Sequence, residues 1–137
     1  ARFGDPETEV VLPLLESDAY DVFYGIATGA NSQSPIANSP LQWRNEATIG
    51  VVLASKGYPG SYAKGAVIEG TEQFDGPIFH MGTKNDNGVL KTNGGRVMMC
   101  IATGKDIATA REKVYKEIEK IHCDNLFYRK DIAHWAL

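Results

Sequence analysis

The sequence is poor in the residues that build disulfide frameworks and metal centres. It has two cysteines among 137 residues, Cys100 and Cys123, and neither belongs to a C-x-x-C pair. Its three histidines are scattered, which gives a zinc site little support. This spacing argues against a disulfide framework and favours the reducing cytoplasm as the location. Both cysteines are expected to be small core residues.

Excess charge of one sign and long apolar runs are also missing. The chain carries 14 basic and 17 acidic residues, a net charge of −3, which gives no electrostatic reason to expect nucleic acid or a membrane surface as a partner. Apolar runs such as 10–15 are too short to cross a bilayer, and acidic residues lie where a signal peptide would be apolar. With 43% apolar and 23% charged residues, the composition is that of a globular domain.

The first residues predict a helix start. Asp5 precedes Pro6, a residue that suits the first helical position, so Asp5 is predicted to cap the free amides. Glu7 and Glu9 would complement the positive end of the helix dipole. Pro13 should interrupt this helix.

A second helix is predicted over 18–29, with Ser17 as its cap. The polar residues 30–40 then predict a loop, and this loop is the best candidate for a domain boundary.

The second half of the chain reads as strands followed by one helix. Asn87-Gly88 suits a tight hairpin turn, and Asp106 is predicted to cap the helix. The apolar side of that helix recurs at steps of three and four, and its charged residues are predicted to form a solvated face. Helices followed by strands and a helix indicate the α+β class. The predicted strands are 47–55, 66–70, 77–82, 88–92 and 96–103; the helix is 107–121; its charged residues are Arg111, Glu112, Lys113, Lys116, Glu117, Glu119 and Lys120.

Three segments contain more Gly, Arg and Asn than a scaffold needs: "ARFGDPETE" (1–9), "SKGYPGSY" (55–62) and "TNGGRV" (92–97). In the first, Arg2 lies close to a helix start and could help to bind an anion. The alternative for Arg2 is a surface ion pair with Asp5 or Glu7.

The other two segments allow similar pairs of interpretations. Gly57 and Gly60 turn the backbone beside Lys56, which could be a site or a plain turn. The residues 93–95 are expected to leave backbone amides unshielded directly before Arg96, an arrangement that suits phosphate. The alternative is a hairpin loop with a solvated Arg96. The sequence contains no G-x-S-x-G, P-loop, G-x-G-x-x-G or H-E-x-x-H motif, so the residues alone name no reaction.

Five segments in order and near the expected spacing, "RFGDPETE", "VVLASKGYPGSYAKG", "IFHMGT", "TNGGRV" and "FYRKDI", resemble the phosphoribosylamine–glycine ligases. These enzymes, also called glycinamide ribonucleotide synthetases, belong to the ATP-grasp superfamily, and the resemblance covers essentially the whole chain. It implies ATP-dependent joining of glycine to 5-phosphoribosylamine in purine biosynthesis.

The resemblance also implies where the parts of the enzyme lie. Residues 1–45 would be the end of the ATP-grasp domain, and residues 46–137 a small β-rich C-terminal domain of the biotin-carboxylase type. ATP and Mg²⁺ (or Mn²⁺) would be needed, with the metal ligands and the ATP-binding domains expected upstream of Ala1. The chain would therefore contain no metal ligands and would be inactive alone.

By the same resemblance, Arg2 is the candidate catalytic residue, facing the reacting phosphate or carboxylate, with Asp5 and Glu7 supporting it. The candidate site for the substrate 5′-phosphate comprises Asn93, Gly94, Gly95 and Arg96, with Lys56 as a weaker member.

Two rival hypotheses remain. The chain could be a non-catalytic module that holds domains or subunits together. A carrier-type hybrid domain would need a modified Lys after a Met, and Met98-Met99 is followed by Cys100 instead.

Overall fold

The computed structural model describes residues 3–28 and 41–137, so Arg2 and the predicted loop over 30–40 lie outside the described residues. The described part combines helices and strands, which confirms the α+β class at the level of element content. The helices are α1 (Glu7–Val11), α2 (Ala19–Ala27) and α3 (Ile107–Ile118); the strands are β1 (Ala47–Ser55), β2 (Ile78–His80), β3 (Thr83–Asp86), β4 (Val89–Thr92), β5 (Arg96–Gly104) and β6 (Leu126–Phe127).

An antiparallel sheet with the strand order β2-β5-β1-β6 forms the centre of the fold. Its two long strands pair with Val51 opposite Cys100. The register slips near the end of β1, because Leu53 faces Met98 while Ala54 faces Arg96. A slip of this kind is a β-bulge, which bends a strand and redirects its side chains. The strands β3 and β4 form a separate hairpin.

Helix α3 covers one face of this sheet and packs on β1 and β5. Asp106 caps it as predicted, since its carboxylate accepts a hydrogen bond of 2.7 Å from the Thr109 amide. The apolar side predicted from spacing is the side that packs. The core beneath the helix includes Ile49, Val51, Leu53, Met98, Cys100, Ala102, Ala110, Val114 and Ile118.

Helix α1 packs on the opposite face of the sheet. A Cβ built on Gly50 would lie 2.8 Å from Val10 and 2.8 Å from Ile101, and it would overlap the end of Met99. Gly50 therefore provides the space in which the N-terminal segment approaches the sheet. The predicted regions 1–45 and 46–137 are thus in direct contact.

The two N-terminal cap predictions are wrong. Pro6 occupies the cap position of α1, and no side-chain hydrogen bond closes that end of the helix. The cap of α2 is Asp18, which accepts from the Asp21 amide, whereas the Ser17 hydroxyl accepts from the Gln42 amide at 2.9 Å. Ser17 is committed to a residue 25 positions away, so local spacing could not identify the cap. The interruption predicted at Pro13 is confirmed, because α1 ends at Val11 and a 3₁₀ turn, Leu12–Leu14, follows.

The hairpin turn is confirmed, but one neighbouring strand is not. Asn87 and Gly88 both have positive φ, 53° and 87°, as a tight two-residue turn requires. Residues 66–70 form two isolated bridges, at Val67 and Glu69, rather than the predicted strand. The strand β3 was not predicted because its sequence, "TKND", is polar.

The charged side of α3 is less solvated than predicted. Glu117 is only 8% exposed; it accepts from Lys120 Nζ at 2.6 Å and from the Asp75 amide at 2.8 Å. These contacts, first with Lys120 and then with Asp75, hold the pKa of Glu117 below its ordinary value. Arg111 donates to the carbonyl oxygens of Lys130 and Ile132. The prediction is wrong for Glu117 and Arg111 because segments distant in sequence fold over the helix.

Both cysteines are free, as expected. Cys100 is fully buried in the core, and burial raises the pKa of its thiol to about 12. Cys123 is partly exposed. Within the described residues, no helix is long and apolar enough to cross a membrane.

Candidate functional site

Described residues from each of the three Gly- and Arg-rich segments meet at one end of the sheet. The end of β1 pairs with the start of β5 at the bulge, which places segment 55–62 beside segment 92–97. Asp5, in the first segment, contacts Arg96. Segments that are far apart in sequence therefore form one cluster.

Ser55 fixes the loop that precedes β5. The residue is fully buried, and its hydroxyl donates a hydrogen bond of 2.8 Å to the carbonyl oxygen of Gly94. Its amide donates, also at 2.8 Å, to the carbonyl oxygen of Gly95. One residue thereby holds two successive carbonyl groups, and the direction in which the loop enters β5 is set by β1.

Gly94 allows two backbone segments to come into contact. A Cβ built on Gly94 would lie 2.9 Å from the Cα of Gly82 and 3.3 Å from the carbonyl oxygen of Arg96. The amide of Asn93 donates to the carbonyl oxygen of Gly82 at 2.7 Å. The residues 93–94 are thus held against the loop that follows β2, while Asn93 itself is exposed.

Gly95 is buried beneath two aromatic rings. A Cβ at this position would overlap the Tyr58 ring and would lie 3.2 Å from Cε1 of Tyr62. The expectation that both glycine amides are open to an approaching oxygen is therefore wrong for Gly95. The glycine pair is required for close packing, and Asn93 and Arg96 are the more accessible members of the segment.

Arg96 reaches back to the N-terminal segment. Its Nη1 donates to the carbonyl oxygen of Asp5 at 3.0 Å, and its Nη2 donates to Asp5 Oδ2 at 3.2 Å. The Arg96 side chain is 36% exposed and the Asp5 side chain is 51% exposed, so the guanidinium remains accessible to solvent. A half-exposed guanidinium that is held at two points can receive a further anionic group.

The remaining candidate residues, Lys56 and Glu7, contact other parts of the chain. Lys56 is exposed at the end of β1, and its amide donates to Asn125. Glu7 folds back against Gly4 in the first turn of α1. The predicted support of Arg2 by Asp5 and Glu7 involves a residue outside the described ones, and the described partner of Asp5 is Arg96.

This arrangement is suited to anion binding more than to acid–base or metal chemistry. It offers a guanidinium and an exposed amide side chain on rigid strand ends, which favours precise placement of a bound group. Residues 3–28 and 41–137 contain no group of three or more His, Cys, Asp or Glu side chains that could hold a metal ion. The cluster can therefore orient and stabilise negative charge.

Sequence reasoning missed Ser55, Tyr58 and Tyr62 as members of this cluster. All three belong to the segment 55–62, which was singled out for its glycines and for Lys56. The glycine at position 95 was the available signal, because a residue without a side chain often marks the close approach of another group. The sequence could not reveal which group approaches.

Comparison with known proteins agrees with this architecture. The model of the family "Phosphoribosylglycinamide synthetase, C domain" matches residues 48–135. A crystal structure of phosphoribosylamine–glycine ligase from Thermotoga maritima superposes with a TM-score of 0.82 at 38% identity, over 97% of this chain and 32% of that one.

Curated relatives carry the same name. The phosphoribosylamine–glycine ligase of Halalkalibacterium halodurans is 47% identical over 139 aligned positions, covering 100% of this chain and 31% of the relative. The corresponding protein of Caldanaerobacter subterraneus subsp. tengcongensis is 42% identical over 134 positions, covering 97% of this chain and 31% of the relative. The chain therefore spans about a third of the length of these relatives. On the family match and this identity, the chain belongs to the phosphoribosylglycinamide synthetase C-domain family.

Proposed function

We propose that this chain is the C-terminal third of an ATP-dependent ligase that joins glycine to 5-phosphoribosylamine, forming glycinamide ribonucleotide in purine biosynthesis. The observation that carries the proposal is identity of 47% over the whole chain to a relative named phosphoribosylamine–glycine ligase. The accessible Arg96 at the rigid end of the sheet supports it, because the proposed substrate carries a phosphate.

The proposed domain organisation follows the same likeness. Residues 1–45 are assigned to the end of an ATP-grasp domain, and residues 46–137 to a C-terminal domain of the biotin-carboxylase type. The upstream domains of the same cytoplasmic enzyme are the proposed macromolecular partner of this chain.

The proposed reaction has two steps. The glycine carboxylate attacks the terminal phosphate of ATP, which gives glycyl phosphate and releases ADP. The amine of phosphoribosylamine then attacks the glycyl carbonyl, so that an amide forms and phosphate leaves. Negative oxygens gather in both steps, and fixed cationic donors stabilise them without acting as acids or bases.

We assign two different anions to the two arginines. Arg2 is proposed to face the reacting phosphate or carboxylate. Arg96 is proposed to bind the 5′-phosphate of phosphoribosylamine, which is remote from the bond being formed. The other members of that phosphate site are Asn93, Gly94 and, more weakly, Lys56. Gly95, which is buried beneath Tyr58 and Tyr62, is assigned a packing role in the same loop.

The described residues of this chain do not fit a metal centre. We assign the proposed requirement for ATP and Mg²⁺ (or Mn²⁺) to the upstream part of the enzyme, as the family likeness implies. What this chain contributes is the binding and orientation of anionic groups.

The test compares the full-length protein that contains this chain with residues 1–137 alone. The full-length protein should form glycinamide ribonucleotide from ATP, glycine and phosphoribosylamine, whereas residues 1–137 alone should form none, because phosphoryl transfer depends on the positioning of groups that are assigned upstream. No product from the full-length protein would refute the proposed function. Product from residues 1–137 alone would refute the assignment of roles.

A further inference from the structure

We propose that Asp5 is a positioning residue, which fixes the guanidinium of Arg96 in the orientation in which Arg96 receives the substrate 5′-phosphate. This inference rests on the proposed function and adds a role that neither the family likeness nor the sequence assigned. From the sequence, Asp5 was predicted to cap a helix and to orient Arg2. It caps no helix, and its carboxylate contacts Arg96 instead.

The contact between Asp5 and Arg96 fixes the orientation of the guanidinium plane as well as the distance between the two side chains. One residue supplies both acceptors, a carbonyl oxygen for Nη1 at 3.0 Å and a carboxylate oxygen for Nη2 at 3.2 Å. Two bonds to different nitrogens determine how the planar guanidinium is oriented. Arginine has five N–H donors, so three remain for a second anion. Asp5 thus orients Arg96 without using up its donor groups.

Both ends of the contact are anchored to the same sheet. Arg96 is the first residue of β5 and faces Ala54 at the bulge. Asp5 lies two residues before the start of α1, the helix whose Val10 packs over Gly50. Because both backbones are anchored, the contact holds the Arg96 side chain in one geometry. A long side chain that was free in solvent would sample many.

The exposure of the pair argues against a role in stability. Half-exposed ion pairs in water contribute little to the free energy of folding, because solvent screens them and ordering the side chains costs entropy. The carboxylate also reduces the net positive charge that an arriving phosphate meets. A purely attractive site would therefore omit Asp5, and its effect on binding must come from orientation.

The test is a double-mutant cycle in the full-length protein. Asp5→Ala should raise KM for phosphoribosylamine by about fivefold, the size expected for loss of one exposed charged contact. The turnover number and KM for ATP should stay within about twofold. In an Arg96→Ala background, Asp5→Ala should have no further effect, because the residue it positions is gone.

Two further variants separate positioning from general damage. Asp5→Asn keeps a side-chain oxygen acceptor and the backbone carbonyl. Its KM for phosphoribosylamine should therefore be near the wild-type value or below it. Asp131→Ala removes another exposed Asp–Arg pair, with Arg129 at 2.7 Å, and should change neither KM nor turnover. Melting temperatures should be similar for all variants.

Additive effects of Asp5→Ala and Arg96→Ala would overturn the inference, as would an unchanged KM for phosphoribosylamine in Asp5→Ala. If Asp5→Ala fails to fold, Asp5→Asn decides the question: a raised KM there would show that charge, not orientation, matters. An unchanged KM in Arg96→Ala would refute the phosphate site itself and the inference with it. Absence of ligase activity in the wild-type protein would instead refute the proposed function.

Discussion

The hydroxyl of Ser55 donates a hydrogen bond to the carbonyl oxygen of Gly94, 39 residues further along the chain, at a distance of 2.8 Å. The bond joins the last residue of one central strand to the loop that leads into the other. Because Ser55 is fully buried, no solvent molecule readily replaces its hydroxyl. Through this hydrogen bond, the end of β1 fixes the conformation of the loop before Arg96.

Replacing Ser55 by Ala should therefore destabilise the fold. The Gly94 carbonyl would lose its donor at a partly buried position, which costs roughly 1–3 kcal/mol of unfolding free energy. Urea-induced unfolding measures this loss. The matched control is Ser61→Ala, at an exposed serine in the same segment, which should lie within about 0.5 kcal/mol of the wild type. Equal effects of the two changes would show that the buried bond contributes nothing.

Gly95 and Tyr58 should be energetically coupled. Gly95→Ala places a methyl group where the Tyr58 ring lies, and overpacking of this kind costs about 1–3 kcal/mol. Adding Tyr58→Ala removes the ring, so the double variant should be less destabilised than the sum of the two single variants. The control is Gly95→Ala combined with Tyr20→Ala, because Tyr20 is 72% exposed on α2. That pair should be additive, and additivity in both pairs would contradict the contact.

The two arginines should affect different kinetic constants. Arg96→Ala should raise KM for phosphoribosylamine by about 1.5–3 kcal/mol, roughly 10- to 150-fold, and leave KM for ATP and glycine nearly unchanged. Arg2→Ala should instead lower kcat by on the order of a hundredfold, about 3 kcal/mol, because Arg2 is assigned to charge that develops in the transition state. Steady-state kinetics of the full-length enzyme distinguish the two patterns. Wild-type turnover in Arg2→Ala would reassign Arg2 to a surface ion pair.

The contribution of Glu117 to stability should depend on pH. Its pKa in the fold lies below the ordinary value of 4.5, chiefly because Lys120 and then the Asp75 amide favour the ionised form. The ionised carboxylate therefore stabilises the fold above about pH 4.5, and this stabilisation is lost as the pH falls through the pKa of the folded state.

The measurement is the difference in unfolding free energy between the wild type and Glu117→Gln as a function of pH. The difference should be largest near neutral pH and should shrink in acid. Glu112→Gln, at an exposed position of the same helix, is the control and should show little difference at any pH. A difference for Glu117→Gln that is constant from pH 7 to acid would refute the role of the charge.

The sequence predicted those elements whose signals are local. Dense apolar residues mark β1 and β5, the Asp106 cap and the apolar spacing mark α3, and Asn87-Gly88 marks a turn. Each of these features depends on residues that are close together in the sequence, so periodicity and propensity determine it.

What the sequence could not predict depends on contacts across long distances in the chain. Asp5 contacts a residue 91 positions away, and Ser17 one that is 25 away. Glu117 is buried by the segment that contains Asp75, 42 residues earlier. In each case the residue type suits a local role, as a helix cap or as part of a solvated face. In the structure the side chain instead contacts a residue distant in sequence, and no spacing rule identifies that residue.

The burial of Cys100 has a consequence for chemical labelling. With its thiol inaccessible to solvent and its pKa raised to about 12, almost none of Cys100 is present as the reactive thiolate at neutral pH. Cys123 is partly exposed on the connection that follows α3. A maleimide dye added to the folded protein would therefore mark this chain at Cys123 alone, which supplies a fluorescent reporter next to the sheet without any engineered substitution.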